Sequence, residues 1–211
     1  MIKAVLFDLD GTLLDTNDLI YDSFCRAFKE VLDIELPKEE ITLLYGKPLK
    51  TSLIKYTDNE DLLENLINSY RNYNKVYHDN MCRPFEGVKE LLLALKERAI
   101  KIGIVTSKRK ELAKRGLELG ELIGYMDVII SPEDTIKHKP EGDPALKACE
   151  MLGVLPKEAI MVGDSPYDIL CGKNAGCLTC GVEYTALQLS ELIKIKPSYL
   201  IKKPLDLLEL I

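Results

Sequence analysis

Short apolar runs recur along this chain, and each is followed by a stretch with helical periodicity. Runs of this length with nearly continuous hydrophobicity are typical of parallel strands that helices cover on both faces. Strands that alternate with helices in this way build an open α/β sheet. The sequence therefore predicts an α/β fold with a doubly wound, Rossmann-like parallel sheet. The strands are expected at residues 4–7, 100–105, 128–130, 160–162 and 177–182.

The alternation of strands and helices is interrupted once, between residues 16 and 82. The strand pattern disappears there, and two long amphipathic patterns replace it. We expect a small α-helical cap over residues 16–82, inserted after the first strand. Residues 1–15 and 83–211 would then form the catalytic core.

Between the two amphipathic patterns lies a Gly/Pro break that includes Gly46 and Lys47, and it predicts a loop between cap helices. The plain interpretation of such a loop is a simple helix connector. Tyr70, Tyr73 and Tyr77 recur at helical spacing in the second pattern. That spacing favours packing inside the cap over lining a ligand site.

Composition and charge exclude several classes of function. The formal net charge is −6 and the pI about 5.2, which argues against nucleic acid and anionic membranes as partners. No apolar run is long enough to cross a bilayer, and the first residues are too short a run for a signal sequence. We expect a cytoplasmic protein, a monomer or weak homodimer, that acts on a small substrate.

The six cysteines lack the spacing of a disulfide framework, so we expect reduced thiols. Cys177 and Cys180 form a CxxC pair, but a zinc site would need a second pair of ligands. The chain has only two histidines to offer, His78 and His138. Buried strand thiols are therefore the favoured interpretation of this pair.

Carboxylates follow two of the predicted strands. Asp8 and Asp10 come directly after the first strand, and Asp164 and Asp168 follow the strand at 160–162. Taken alone, the first pair could be a turn, since Asp and Gly favour turns. Two strand ends that bear acids at one sheet edge are better explained by a cation, because carboxylates so close cannot all stay ionised without one. We expect an oxygen-rich magnesium site.

Hydroxyls and a lysine follow two other segments. Thr106 and Ser107 come after the strand at 100–105, where the first turn of a helix offers free amides to phosphate. They could equally be helix caps. Lys139 stands in a Lys-His-Lys-Pro segment, and an isolated lysine is more often a solvated surface charge.

Together these four segments, in this order and each at a strand end, resemble the haloacid dehalogenase-like superfamily of phosphohydrolases. The resemblance implies that Asp8 attacks phosphorus and that Asp10 acts as general acid and base. It also implies phosphate contacts and a magnesium site. The phosphate contacts would come from Gly11, Thr12, Thr106, Ser107 and Lys139. The Mg²⁺ ligands would be Asp8, the backbone carbonyl of Asp10, and Asp164, with Asp168 acting through water or by orienting Lys139.

Within the superfamily, the resemblance is to the phosphoglycolate phosphatase and bacterial pyrophosphatase group. Asp10 argues against a dehalogenase, which has no leaving oxygen to protonate. A sugar phosphomutase and a non-catalytic binding protein on the same fold remain alternatives. Gly46 and Lys47 in the cap loop would bear on the substrate. The family's Lys-Pro-x-Pro becomes Lys-Pro-Glu-Gly here, so we expect Gly142 to loosen the loop, with Lys137 a possible substitute for Lys139.

Overall fold

The central sheet has six strands, all parallel, in a computed structural model that describes residues 1–211. The strands are β1 (Ala4–Phe7), β4 (Lys101–Val105), β5 (Val128–Ile130), β6 (Ala159–Gly163), β7 (Leu178–Val182) and β8 (Tyr199–Ile201), while β2 (Leu14–Asp15) and β3 (Arg83–Pro84) form a separate antiparallel pair. The order of the six parallel strands across the sheet is β5-β4-β1-β6-β7-β8.

Helices cover both faces of the sheet, and the alternation of side chains in β1 shows why. Val5 and Phe7 point into one cluster, and Ala4 and Leu6 point into the other. The first cluster is closed by α5 (Val88–Glu97) and α6 (Lys110–Leu119), and the second by α7 (Asp143–Leu152) and α8 (Pro166–Ala175). The predicted doubly wound α/β fold is confirmed.

The sixth strand, β8, was not predicted from the sequence. It is only three residues long, and its first two side chains, Tyr199 and Leu200, are exposed at the edge of the sheet. The helix α9 (Leu189–Lys194) precedes this strand, and Lys202 and Lys203 follow it. Its apolar run is only three residues long, and periodicity alone does not distinguish a run this short from other short apolar runs.

Residues between β2 and β3 are helical and share a hydrophobic cluster of their own. Phe24, Phe28 and Leu66 belong to this cluster, which we call the cap cluster. The helices are α1 (Asn17–Leu32), α2 (Lys38–Thr42), α3 (Leu49–Leu53) and α4 (Glu60–Tyr77), so two short helices join the two long ones that the sequence suggested. The division of the chain at residues 16 and 82 into core and cap stays a prediction.

The three cap tyrosines do not share one environment. The Tyr70 ring packs against Phe24 at 4.7 Å between centroids and borders the cap cluster. Tyr77 is 43% exposed, and its ring pairs with Tyr73 at 4.4 Å. Burial inside the cap is therefore the wrong expectation for Tyr77, which is the last residue of α4.

All six cysteines are free thiols, and Cys177 and Cys180 are buried beside and within β7. No helix combines the length and apolar character that a bilayer span requires.

Candidate active site

The candidate site lies beside β1, where the order in which strands are added to the sheet changes from one side to the other. β1 is central, with β4 on one side and β6 on the other. After β1 the chain builds outward to β5, and then returns to place β6 on the opposite side of β1. In open α/β sheets this switch point forms a crevice at the carboxyl ends of the strands. Asp8, Thr106 and Asp164 each follow one of these three strands.

Lys139 lies between two carboxylates of the site. Its side chain is 2% exposed, and its Nζ lies 2.6 Å from Asp8 Oδ1 and 2.6 Å from Asp168 Oδ1. A third hydrogen bond runs from Nζ to the backbone carbonyl of Val105 at 3.1 Å. An ammonium has three N–H donors, so all of them are used. Burial would lower the pKa of Lys139, but Asp168 and Asp8 raise it above its ordinary value.

Asp168 is held at both oxygens. While Oδ1 meets Lys139, Oδ2 accepts from the Ser165 amide at 3.0 Å and from the Ser165 hydroxyl at 2.6 Å. Ser165 and Asp168 thereby form a capping box that starts α8. With both oxygens occupied, Asp168 orients Lys139 and Ser165 rather than offering a free ligand atom. Of the two roles implied for it, the geometry favours the orienting one.

Three buried carboxylates meet at this point. Oxygen atoms of Asp8, Asp164 and Asp168 lie within 4.8 Å of one another. Burial, together with Asp168, raises the pKa of Asp8 to about 7 even though Lys139 opposes the shift. Burial also raises the pKa of Asp164 well above its usual range, and Asp168 and Asp8 add to the effect. One lysine thus leaves the negative charge of the group incompletely balanced.

A divalent cation fits this donor set. Three carboxylates and one ammonium carry a formal charge of −2 when all are ionised, and Asp8 and Asp164 keep oxygens that Lys139 does not occupy. Oxygen ligands from carboxylates are those that hard divalent cations take. Asp8 and Asp164 are the residues that would hold the ion, and its charge would return the group to neutrality.

Asp10 lies beside the carboxylate group but has different partners. Its Oδ1 accepts from the Lys108 ammonium at 2.8 Å and from the Thr16 hydroxyl at 2.8 Å. Burial would raise the pKa of Asp10, yet the charge of Lys108 and these two hydrogen bonds outweigh it and lower the pKa below the ordinary value. Its Oδ2 has no protein partner, so one oxygen remains free to face a ligand.

Free hydrogen-bond donors follow β1 and β4, at the sheet edge that carries Asp8. The amide N–H groups of Leu9, Asp10 and Ser107 have no acceptor within the protein. Thr106 is buried, and its Oγ1 accepts from the Lys108 amide at 3.0 Å, which leaves its proton free to donate. Four such donors at one sheet edge, three amides and one hydroxyl, provide an anion-binding cradle.

The amides of Gly11 and Thr12 have acceptors within the protein, and the phosphate contacts implied for these two residues stay a prediction. The Gly11 amide binds the Leu14 carbonyl at 2.8 Å, and the Thr12 amide is turned toward Leu9. Thr12 Oγ1 is buried without a partner. Gly11 is required for another reason: at φ +85° a Cβ would lie 2.3 Å from Asp164 Oδ2.

The cap loop reaches the same sheet edge. Gly46 has φ +73°, and a Cβ there would lie 2.7 Å from Ser165 Oγ. Its carbonyl accepts weakly from Ser107 Oγ at 3.4 Å. The Lys47 ammonium lies 5.8 Å from the centroid of the Tyr167 ring. The two cap residues singled out in the sequence thus lie over the start of α8, close to the carboxylate group.

Lys139, and not Lys137, occupies the site, since Lys137 is exposed and Lys139 is buried. The expectation that Gly142 loosens this loop is wrong. A Cβ at Gly142 would lie 2.7 Å from the backbone of Asn174, so the two segments are in close contact. The Asn174 side chain also donates to the Pro140 carbonyl at 3.0 Å. The loop that presents Lys139 is therefore fastened to α8.

Sequence reasoning missed two residues that contact the acids. Lys108 pairs with Asp10, and Thr185 donates to Asp164 Oδ2 at 3.0 Å. A signal for Lys108 existed, because Lys108, Arg109 and Lys110 place three cations at the start of α6, where the helix dipole disfavours them. Thr185 lies in the segment after β7 and carries no comparable signal.

Comparisons with known proteins identify the family of this chain. Residues 5–182 match the family model described as haloacid dehalogenase-like hydrolase. A candidate pyrophosphatase PpaX from Clostridium perfringens is 54% identical over 211 residues, which cover 100% of this chain and 98% of that protein. The pyrophosphatase PpaX of Bacillus cereus is 37% identical over 210 residues, with coverages of 100% and 96%.

Among solved structures, a haloacid dehalogenase-like family hydrolase from Streptococcus pneumoniae superposes with a TM-score of 0.87 at 27% identity. That match covers 99% of this chain and 97% of the other. The resemblance seen in the motifs is confirmed, and so is the expectation of an enzyme. The chain belongs to the haloacid dehalogenase-like hydrolase family.

Proposed function

We propose that this protein is a magnesium-dependent phosphatase that forms an aspartyl-phosphate on Asp8, and that its substrate is inorganic pyrophosphate. The observation that carries the proposal is the position of Lys139, which binds Asp8 and Asp168 within a group of three buried carboxylates. Such a group keeps one oxygen nucleophile next to a cation and beside free N–H donors. Phosphoryl transfer requires this kind of positioning and charge balance.

In the first step, an oxygen of Asp8 attacks phosphorus and the bond from phosphorus to the leaving oxygen breaks. The amides of Leu9, Asp10 and Ser107 bind the equatorial oxygens, where charge develops, and Lys139 contributes its positive charge from its place beside Asp8. In the substrate complex the negative charge of bound pyrophosphate opposes the effect of Lys108 and favours a proton on the free Oδ2 of Asp10, and Asp10 passes this proton to the leaving oxygen. Bound Mg²⁺ would neutralise charge on the phosphoryl group and on the carboxylates.

In the second step, water attacks the phosphorus of the aspartyl-phosphate and the bond to Asp8 breaks. Asp10, now a carboxylate, takes the proton from this water and returns to its starting state. The pairing of Asp10 with Lys108 and Thr16 favours its ionised form, as this second step needs. The two acids can thus divide the work between nucleophile and proton carrier.

The choice of pyrophosphate is supported by the PpaX relatives, which share the whole length of this chain. It is also consistent with two lysines near the site, Lys108 at Asp10 and Lys47 in the cap loop. Phosphoglycolate is the next candidate, because its leaving group also carries a negative charge. A cytoplasmic location and a monomeric or weakly dimeric state stay predictions.

The test is a panel of pyrophosphate, phosphoglycolate, hexose phosphates and nucleotides, assayed for phosphate release with Mg²⁺ and with EDTA. We expect Mg²⁺-dependent release that is fastest with pyrophosphate, and its loss in Asp8→Asn. Asp58→Asn is the matched control, since Asp58 is an exposed acid of the cap. Equal activity of wild type and Asp8→Asn would contradict the proposal. Phosphate transfer between sugar positions with little release would instead indicate a mutase.

A further inference from the structure

Lys108 is a buried ammonium whose hydrogen-bonding capacity is largely unused. Its side chain is 7% exposed, and its Nζ has a single acceptor in the protein, Asp10 Oδ1 at 2.8 Å. Lys139, by comparison, donates all three of its hydrogen bonds to protein acceptors. A buried ammonium rarely leaves donors without partners. Two N–H donors of Lys108 are therefore available to a ligand.

The position of these donors identifies what part of a substrate they would meet. The free oxygen of Asp10, Oδ2, belongs to the same carboxylate that binds Lys108 through Oδ1. In the proposed function this carboxylate serves the leaving oxygen, on the side of phosphorus away from Asp8. A group bonded to that oxygen therefore comes next to Lys108.

The cap contributes to the enclosure of this position. Tyr70 lies close enough to Asp10 for the charge of Asp10 to add to the effect of burial in raising the Tyr70 pKa. The Thr16 hydroxyl holds Asp10 from the start of the cap segment. Lys108, Thr16 and Tyr70 thus border the space for the leaving group, and Lys108 is the positively charged residue of the three.

We propose that Lys108 is a specificity-determining residue that binds the leaving phosphate of pyrophosphate. This inference rests on the proposed function and deepens it. An ammonium hydrogen-bonded to a departing phosphate lowers the energy of its extra negative charge, whereas an uncharged alcohol leaving group needs only the proton from Asp10. The residue therefore favours substrates whose leaving group is itself an anion.

An alternative role for Lys108 is to hold Asp10 in place and nothing more. The two roles differ in what they predict for different leaving groups. A residue that only holds Asp10 affects every substrate that needs its proton, and it affects them equally. A residue that binds the leaving phosphate affects pyrophosphate far more than an ester such as phenyl phosphate.

The experiment compares wild type with Lys108→Met on pyrophosphate and on phenyl phosphate, both with Mg²⁺. We expect kcat/KM for pyrophosphate to fall roughly 10- to 100-fold, the loss typical of one hydrogen bond to a charged group. The loss for phenyl phosphate should be at least about tenfold smaller, because Lys108 acts on that substrate only through Asp10. Lys114→Met, which removes an exposed lysine of α6, should leave both values unchanged.

Binding provides a second readout that does not depend on turnover. Methylenediphosphonate, which cannot be hydrolysed, should bind Mg²⁺-loaded Lys108→Met roughly 10- to 100-fold more weakly than wild type, as calorimetry would show. Lys108→Arg keeps the charge and should retain most of the affinity. A thermal melt of each variant confirms that it is folded.

Equal losses for the two substrates, unchanged diphosphonate binding, or a wild type that does not hydrolyse pyrophosphate would each overturn the inference. The Asp8→Asn variant separates this failure from that of the proposed function. If Asp8→Asn is inactive while Lys108→Met shows no leaving-group preference, only the inference fails. If Asp8→Asn keeps full activity, the proposed function itself fails.

Discussion

Lys139 and Lys108 stand on two sides of one site, and the protein surrounds them differently. On the Lys139 side, every donor of the ammonium meets a protein acceptor, and two carboxylates flank it. On the Lys108 side, one carboxylate oxygen takes one donor, and the partner Asp10 is 19% exposed. The first side is a fixed framework, and the second keeps capacity for a ligand. Unused hydrogen-bonding capacity therefore separates a framework lysine from a binding lysine where burial does not.

The largest effects are expected on the framework side. Lys139→Met should remove the cation from between Asp8 and Asp168 and leave both buried carboxylates without a counterion. We expect the metal-free variant to lose about 3–5 kcal/mol of unfolding free energy, the usual cost of breaking a buried pair. Phosphatase activity should fall by at least about 10²-fold, because a charge at the transferring group is lost.

Urea unfolding of Lys139→Met and Lys108→Met, side by side in EDTA, would test the comparison. Lys108→Met should lose only about 1 kcal/mol, because Asp10 keeps Thr16 and partial solvent contact. Equal losses in the two variants would break the distinction between the two sides.

The framework side should also set how stability depends on pH. The pKa values of Asp8 and Asp164 are raised in the folded protein, Asp8 to about 7, so the folded state holds their protons more tightly than the unfolded chain does. Stability from these groups is present below the unfolded pKa of about 3.9 and is lost as pH rises toward the folded value. Without metal, the melting temperature should therefore fall between about pH 4 and pH 7.

Added Mg²⁺ should offset this loss, and it should raise the melting temperature more at pH 8 than at pH 5. Asp164→Asn removes one of the two titrating groups and should flatten the pH dependence of the metal-free protein. A Mg²⁺ effect that is the same at both pH values in wild type would show that these carboxylates do not bind the ion.

A smaller effect is expected from Thr185, which supports the framework from outside. Its hydroxyl accepts from the Leu187 amide at 2.9 Å, so its proton is directed to Asp164 Oδ2. Thr185→Val should raise the Mg²⁺ concentration needed for half-maximal activity roughly 10- to 100-fold, as is typical for partners of metal ligands. Thr185→Ser keeps the hydroxyl and should restore the wild-type requirement. An unchanged requirement in the valine variant would show that Asp164 needs no such support.

The smallest effect is expected at the cap loop. Gly46→Ala places a Cβ against Ser165 at a positive φ, so the loop must shift away from the core. We expect a strain of about 1 kcal/mol and a severalfold rise in KM, with a smaller change in kcat. Gly124→Ala is a control, since nothing lies within 4 Å of a Cβ there. A fall in kcat alone would show that the loop acts on the chemistry and not on substrate binding.

The parts of the molecule that the sequence predicted correctly are those that a local pattern encodes. Continuous apolar runs marked the central strands, and each candidate acid followed one of them, so Asp8 and Asp164 could be placed at one sheet edge before any contact was known. The simultaneous contact of Lys139 with Asp8 and Asp168 could not be predicted from such a pattern. It depends on Asp168 turning back through the capping box with Ser165, which is a matter of three-dimensional geometry.

Long-range side-chain contacts explain the other misses. Lys108 and Asp10 are 98 residues apart in sequence, and Thr185 and Asp164 are 21 apart. Periodicity carries no information about such pairs, because it reports which face of an element is buried and not which side chains meet across elements. Gly142 was misjudged for the same reason, since its close neighbour lies on α8.

The central claim is that Asp8 becomes phosphorylated during turnover, and it can be measured directly. Enzyme mixed with pyrophosphate and Mg²⁺ is quenched rapidly and treated with borohydride, which reduces an acyl phosphate to the alcohol. Mass spectrometry then locates the modified residue. We predict that Asp8 alone is converted to homoserine, and only when both substrate and Mg²⁺ are present. Conversion of Asp10 or Asp164 instead, or full turnover by Asp8→Asn, would contradict the account.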